Sequence, residues 1–133
     1  MEETITVPAK AAMVPAVRRG VRGLLAGFER LDDVELVVSE LLTNAIKASC
    51  GDITIRLIDT GDVRLEVQDQ RGRRPRLDAV EKGTGPDGLA LASAIADMIG
   101  SVRHRSGNCM TWAVIRSAFL EFPPVGPPIR HCS

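Results

Sequence analysis

Glu35-Leu36-Val37-Val38-Ser39-Glu40-Leu41-Leu42-Thr43-Asn44-Ala45-Ile46-Lys47-Ala48 is the stretch that decides the fold of this 133-residue chain. Val34, Val38, Leu41, Ala45 and Ala48 recur alternately four and three residues apart, the stripe of an amphipathic helix laid on a core. The spacing predicts a helix from Asp32 to Ser49, with Asp32 or Asp33 capping its start and Gly51-Asp52 closing its end. A helix turns about 100° per residue, so Glu40 and Asn44 stack one turn apart. A carboxylate and a carboxamide therefore look out together beside the buried seam. On an arbitrary helix such a pair is a solvated flank charge and an edge amide, and the rest of the chain has to decide.

Outward from this helix, Thr4 to Val7 alternates β-branched residues and stops at Pro8, a short strand. Met13 to Gly27 reads as a helix with Val14, Val17, Val21, Leu24 and Leu25 on one face and Pro15 in its first turn. On the other side, Ile53, Ile55 and Leu57 alternate with polar residues, as do Val63, Leu65 and Val67. The Thr60-Gly61-Asp62 link makes these runs, 52–59 and 62–69, a hairpin with one buried face. Residues 70–86 break the regularity with arginines, glycines and prolines and only a hint of helix at 77–80; so long a loop in a small domain is functional or disordered. Gly88 to Ile99 is predicted helical, carrying Leu89, Ala92, Ile95, Ala96 and Ile99, and two strands, 101–105 and 110–115, join through Ser106-Gly107-Asn108.

The order β, α, α, β, β, loop, α, β, β is that of an α+β two-layer sandwich: a mixed, mostly antiparallel sheet covered on one face by three helices. Residues 1–117 form the domain, and 118–133, rich in proline from Phe122 to Pro128, read as a tail.

Composition narrows the function. Seventeen basic residues balance seventeen acidic ones, so no global field points to nucleic acid or membrane. No apolar run approaches the roughly 20 residues of a membrane span, and the acidic start is unlike a signal peptide; a cytoplasmic protein is expected. Three cysteines without CxxC spacing, Cys50, Cys109 and Cys132, give no disulfide framework or zinc site. With only His104 and His131, histidine-based catalysis has little to work with. The absence of tyrosine argues against stacking on nucleobases as a nucleic-acid binder.

Two further features carry chemistry. Asp69 ends the 62–69 strand on the face of Val63, Leu65 and Val67, so its carboxylate points at the core layer and requires a donor there; the alternative is a turn-initiating Asx residue. Gly83-Thr84-Gly85-Pro86-Asp87-Gly88-Leu89 precedes a helix, where glycines let backbone amides approach an anion. Its GxGxxG spelling lacks the preceding strand and the following acidic residue of a dinucleotide fingerprint, and no Gly-Lys-Ser/Thr makes it a P-loop. A plain loop with a helix cap is the competing reading. Arg71, Arg73, Arg74 and Arg76 form a basic cluster, either a solvated loop or a face for an acidic partner.

In order and spacing, these pieces resemble the GHKL, or Bergerat, ATP-binding fold of gyrase, histidine kinases and MutL, and more narrowly the stand-alone anti-sigma factor serine kinases and their actinobacterial relatives. The resemblance covers residues 4 to 116: Glu40-Leu41-Leu42-Thr43-Asn44-Ala45 matches the N box, Asp69 with Gly72 the adenine box, and Gly83 to Leu91 the glycine-rich lid. Thr111 with Trp112 falls where the last box closes the adenine pocket. It implies ATP and Mg²⁺ as cofactors, Asn44 as the metal-holding residue and Glu40 as the base that activates an attacking hydroxyl. Asp69 would accept the adenine amino group, Gly72 would line the base, and Lys47 would add charge near the phosphates. Gly83, Gly85, Gly88 and Leu89 would supply the lid. An amide oxygen suits a hard cation, and a carboxylate one turn away suits a base.

The activity so implied is a serine/threonine protein kinase that sequesters a sigma factor and phosphorylates a STAS-type anti-anti-sigma protein, without direct contact to nucleic acid or membrane; a homodimer also comes with the resemblance. The chain departs from the family pattern in its adenine box, Asp69-Gln70-Arg71-Gly72-Arg73 in place of Asp-x-Gly-x-Gly, and in Pro86 and Asp87 of the lid. In the last box, alignment on Trp112 puts Met110 at the threonine position, and Thr111 fits after a shift of one residue. These departures keep open a second reading, a non-catalytic module of the same fold that binds protein and little or no ATP.

Overall fold

Alternation in the central hairpin is realised residue for residue. In the computed structural model, which describes residues 1–71 and 89–117, β2 (Ile53–Asp59) and β3 (Val63–Asp69) bury Ile53, Ile55, Leu57, Val63, Leu65 and Val67 on one face. Gly61, at φ 113°, makes their turn, a conformation closed to most side chains. β1 (Glu2–Val7) pairs antiparallel with the outer side of β2, and β5 (Cys109–Ile115) with the outer side of β3. β4 (Met98–Arg103) closes that side, so the sheet runs β1-β2-β3-β5-β4 with every pair antiparallel. The expectation of a mixed sheet is thus corrected: no parallel pair occurs among the described strands.

Three helices cover one face. α1 (Met13–Leu24) buries Val17 and Val21, with Leu25 just past its end. Leu24, expected on that face, is instead 46% exposed, while Leu25, one turn beyond Val21, lies in the core. α2 (Leu31–Ala48) packs against α1, β3 and β5. Its buried arc is wider than the predicted stripe, adding Val37 and Leu42 to Val34, Val38, Leu41 and Ala45. Each fully buried Leu or Val stabilises the fold by about 1.5–3 kcal/mol, so α2 is the element on which the core is built. Its ends differ from expectation. Asp32 and Asp33 lie within the first turn, where they complement the helix dipole without a side-chain cap, and the helix stops as Ser49 turns extended at ψ 147°. Gly51 is not left-handed.

The third helix, α3, is described over residues 89–95 and places Ala92 in the core. The prediction carried it to Ile99, but β4 already begins at Met98. Ala96 N still donates to Ala92 O, whereas the Asp97 amide donates to Val114 O and enters the sheet ladder. The same spacing that suits a helix face, Ile95, Ala96 and Ile99, also places Ile99 opposite Ala113 in a strand. Arg30, just before α2, holds this switch. Its guanidinium donates to Asp33 (2.9 Å), Asp97 (2.7 Å), Ile95 O (3.1 Å) and Arg116 O (3.2 Å). Burial works against its charge, but the Asp33 and Asp97 carboxylates outweigh it and raise its pKa. The strand predicted at 101–105 correspondingly ends at Arg103, and His104 begins a turn through Gly107, at φ 102°.

The other face of the sheet carries charge. Arg56 donates to Glu2 (2.8 Å) and Glu66 (3.0 Å), Arg64 to Glu66 (2.8 Å), and the Arg64 guanidinium lies 4.7 Å from the centre of the Trp112 ring. Across the ladder from Trp112, Gly100 leaves room for the indole; a Cβ there would sit 2.7 Å from Cζ2. Among the described residues no helix is long and apolar enough to cross a membrane. The hint of helix at 77–80, the arginine and glycine loops at 72–88 and the tail at 118–133 lie outside the described residues.

Candidate functional site

Burial of Leu41, Leu42 and Ala45 fixes the rotation of α2, and with it the direction of the residues between them. Glu40 and Asn44 come to the rim of the core layer, half-buried, and Lys47 lies exposed in the last turn. Among the described residues their side chains make no hydrogen bond or ion pair. Three polar groups along one edge of a rigid helix are left uncommitted.

The C-terminal end of α2 is tied to the end of β3. Ser49 Oγ accepts the Gln70 amide (3.1 Å) and the Gly51 amide (3.2 Å) and donates to Gly51 O (2.7 Å). Gln70 O in turn accepts both the amide and the thiol of Cys50, each at 2.8 Å, and Gln70 Nε2 donates to Asp52 O at 3.1 Å. Gly51 belongs to this clasp, since a Cβ there would meet Gln70 Oε1 at 2.7 Å. Through it the Asn44 and Lys47 turns of α2 hold a set position relative to Asp69, the neighbour of Gln70.

Asp69 faces inward as its strand alternation requires and is only 2% exposed. It lies opposite Cys109 of β5, and Val67 lies opposite Thr111, so Asp69, Cys109 and Thr111 share the buried face. Thr111, and not Met110, is the β5 residue on that face. Trp112, placed by the sequence reading beside the pocket, points to the opposite side under Arg64. The donor that buried Asp69 requires comes from within the chain. Arg71, 6% exposed, folds back so that its Nε donates to both carboxylate oxygens, 3.0 Å to Oδ1 and 3.1 Å to Oδ2. Sequence reasoning treated Arg71 as a lost glycine and missed this pairing. The signal lay in the Asp-x-Arg spelling itself, an arginine two residues from a carboxylate that must be satisfied. Glu35 was missed as well. It is buried on α2 beneath Arg22 (2.7 Å) and Arg18 (3.5 Å) of α1, and the four-residue spacing of those arginines places both over one spot.

Residues 7–114 match the histidine kinase-like ATPase domain family. This chain belongs to that family. Among solved structures, it is similar to the RsbU and RsbW domains of Rv1364c from Mycobacterium tuberculosis, with a TM-score of 0.67 and 23% identity over 88% of this chain and 32% of that one. At that identity the likeness speaks for the fold, and this chain corresponds to about a third of its neighbour's length. No curated protein matches it.

An ATPase domain implies ATP binding, and the donors expected for a nucleotide and a metal can be tested for fit. Among the described residues no cluster of three His, Cys, Asp or Glu could enclose a metal ion. Magnesium asks for less, taking one or two protein oxygens and the rest from phosphate and water, and the uncommitted Asn44 amide oxygen fits that role. The base acceptor fits conditionally, because Arg71 already uses both oxygens of Asp69. Leu89 opens the described part of α3 half-buried against the core, while Gly72, Gly83, Gly85 and Gly88 lie outside the described residues.

Proposed function

We propose that the chain is an ATP- and Mg²⁺-binding regulator of the anti-sigma factor serine kinase type, which sequesters a sigma factor and phosphorylates a serine on a STAS-type antagonist. The observation that carries this reading is the uncommitted Glu40 and Asn44 on an edge of α2 clasped to the end of β3 beside buried Asp69. Asn44 would hold the metal through its amide oxygen, Lys47 would lie near the phosphates, and Asp69, with Thr111 beside it on the buried face, would receive the base. Gly72 and the lid residues Gly83, Gly85, Gly88 and Leu89 would close over the nucleotide. Magnesium, when bound, spreads the charge of the β- and γ-phosphate oxygens. Glu40 would accept the proton of the substrate serine while that hydroxyl oxygen bonds to the γ-phosphorus and the β–γ bridging oxygen leaves with ADP.

Calorimetric titration and phosphate transfer to the cognate antagonist test this together. Asn44→Ala is expected to abolish Mg-ATP binding. Glu40→Ala should bind Mg-ATP within about threefold of the native chain, yet lose transfer by about 10²–10⁴-fold, the range for a general base. Transfer by Glu40→Ala at the native rate would remove Glu40 from the mechanism.

A second reading has its own observation. The Arg71–Asp69 pair, at a position where the family pattern has glycine, favours a non-catalytic module that acts by protein contact alone. A titration with no heat from Mg-ATP in the native chain and in every variant would leave only this reading.

A further inference from the structure

We propose that Arg71 is a built-in competitor for the base-binding carboxylate: it pairs with Asp69, lowers affinity for adenine nucleotides, and blunts the discrimination between adenine and a base lacking the 6-amino group. The inference rests on the nucleotide reading above and adds to it how the site is regulated.

A carboxylate recognises adenine by accepting a hydrogen bond from its neutral exocyclic amine. Here both Asp69 oxygens already accept from Arg71 Nε, at 3.0 and 3.1 Å, with Asp69 2% and Arg71 6% exposed. Both donors would meet an ionised acceptor, but the guanidinium adds the attraction of opposite charges at low exposure, so the neutral amine competes with a better partner. Space is contested too. A side chain buried at the carboxylate fills part of the volume in front of it, where a purine ring would have to lie. With Ser49 and Cys50 clasping Gln70, the backbone between Asp69 and Arg71 is anchored, and the two side chains are held face to face. Glycine at position 71 would take this guanidinium away from the carboxylate. Arginine makes entry conditional on the guanidinium swinging away, and whatever draws it out, such as an acidic partner surface, would raise nucleotide affinity.

The experiment compares Mg-ATP with Mg-ITP, which carries a carbonyl in place of the amine, on the full chain. The native protein is expected to separate the two by less than about threefold. Arg71→Ala should bind Mg-ATP about tenfold more tightly than the native chain, a change of about 1.4 kcal/mol, and prefer it to Mg-ITP by about tenfold. A variant that binds Mg-ATP no more tightly than the native protein, or a native protein that already discriminates as the variant does, overturns the latch while leaving nucleotide binding standing. If neither protein binds either nucleotide, the nucleotide reading itself has failed, and the latch with it. Arg71→Ala removes a charged partner from a buried carboxylate and can compromise folding, so the native chain provides a second readout. The Arg71 Nε–H resonance, assigned by its loss in Arg71→Lys, should shift and exchange faster with solvent on saturation with Mg-ATP. A resonance unmoved at saturation overturns the proposal.

Discussion

Residue by residue, the chain divides its charges between structure and chemistry. Glu66 on the outer sheet face is a structural charge. Partial burial pushes its pKa up, but hydrogen bonds from Arg64 and Arg56 outweigh that and hold it below the usual carboxylate range. Its folded pKa is therefore lower than its unfolded one, near 4.3, and the unfolded chain takes up the proton first. The contribution of this cluster is fully present above that pH and is lost as pH falls through the lowered folded value. In urea unfolding at a series of pH values, the stability gap between native and Glu66→Gln protein should stay constant from neutrality to about pH 5 and shrink below it. A gap that widened on acidification would contradict the assignment. Glu40 and Asn44 are a charge and a dipole without a hydrogen bond or ion pair among the described residues, which suits the proposed ligand roles. Their shared direction was legible in the spacing, because one helical turn separates them whatever the rest of the chain does. The pairing of Asp69 with Arg71 was only hinted at by the Asp-x-Arg spelling. Strand alternation turned the carboxylate inward, but where the arginine two residues past the strand end goes depends on the clasp that Ser49 and Cys50 make with Gln70.

Among the elements, most periodic ones matched their reading to within two residues, α1 stopped three residues before Gly27, and the one that failed had a pattern compatible with two structures. Ile95, Ala96 and Ile99 suit a helix face, yet β4 takes over at Met98 because Asp97 finds Arg30 and the Arg116 amide, at 2.7 and 2.8 Å, and its own amide finds Val114 O. Arg30 therefore joins the start of α2, the end of α3 and the end of β5. Arg30→Ala should destabilise the domain by about 1–3 kcal/mol in urea unfolding, allowing for the partial exposure of the group. It should also speed amide exchange selectively at residues 95–99. A loss spread evenly over the sheet would argue against this role. The equivalent test of β4 is Gly100→Ala, whose Cβ would press on Trp112 Cζ2 at 2.7 Å; it should cost about 1–3 kcal/mol as an overpacked contact and shift the tryptophan emission.

For the whole molecule, the strand order β1-β2-β3-β5-β4 puts β2, β3 and β5 inside and β1 and β4 at the edges. Backbone hydrogen exchange should follow that order, slowest in β3 and in α2 packed on it, and fastest at β1 and β4, since edge strands open without disrupting the core. Uniform protection across the sheet would contradict it. The run of amino acids carried the periods: apolar residues every third or fourth position in α1 and α2, every second in β2, β3 and β5, and the resemblance to a family of ATP-binding domains that the match over residues 7–114 bears out. These are properties of each segment alone, written in the order of its own side chains. Folding in three dimensions decided the rest. β5 lies against β3, with Val63 opposite Ile115 and Asp69 opposite Cys109, and that placement puts Thr111 with Asp69 and sends Trp112 to the far face. Arg71 returns to Asp69, and Arg30 ends a helix that the pattern would have continued. Each of these contacts joins residues whose separation or direction no local period encodes, because it is set by which surfaces meet once the core has closed.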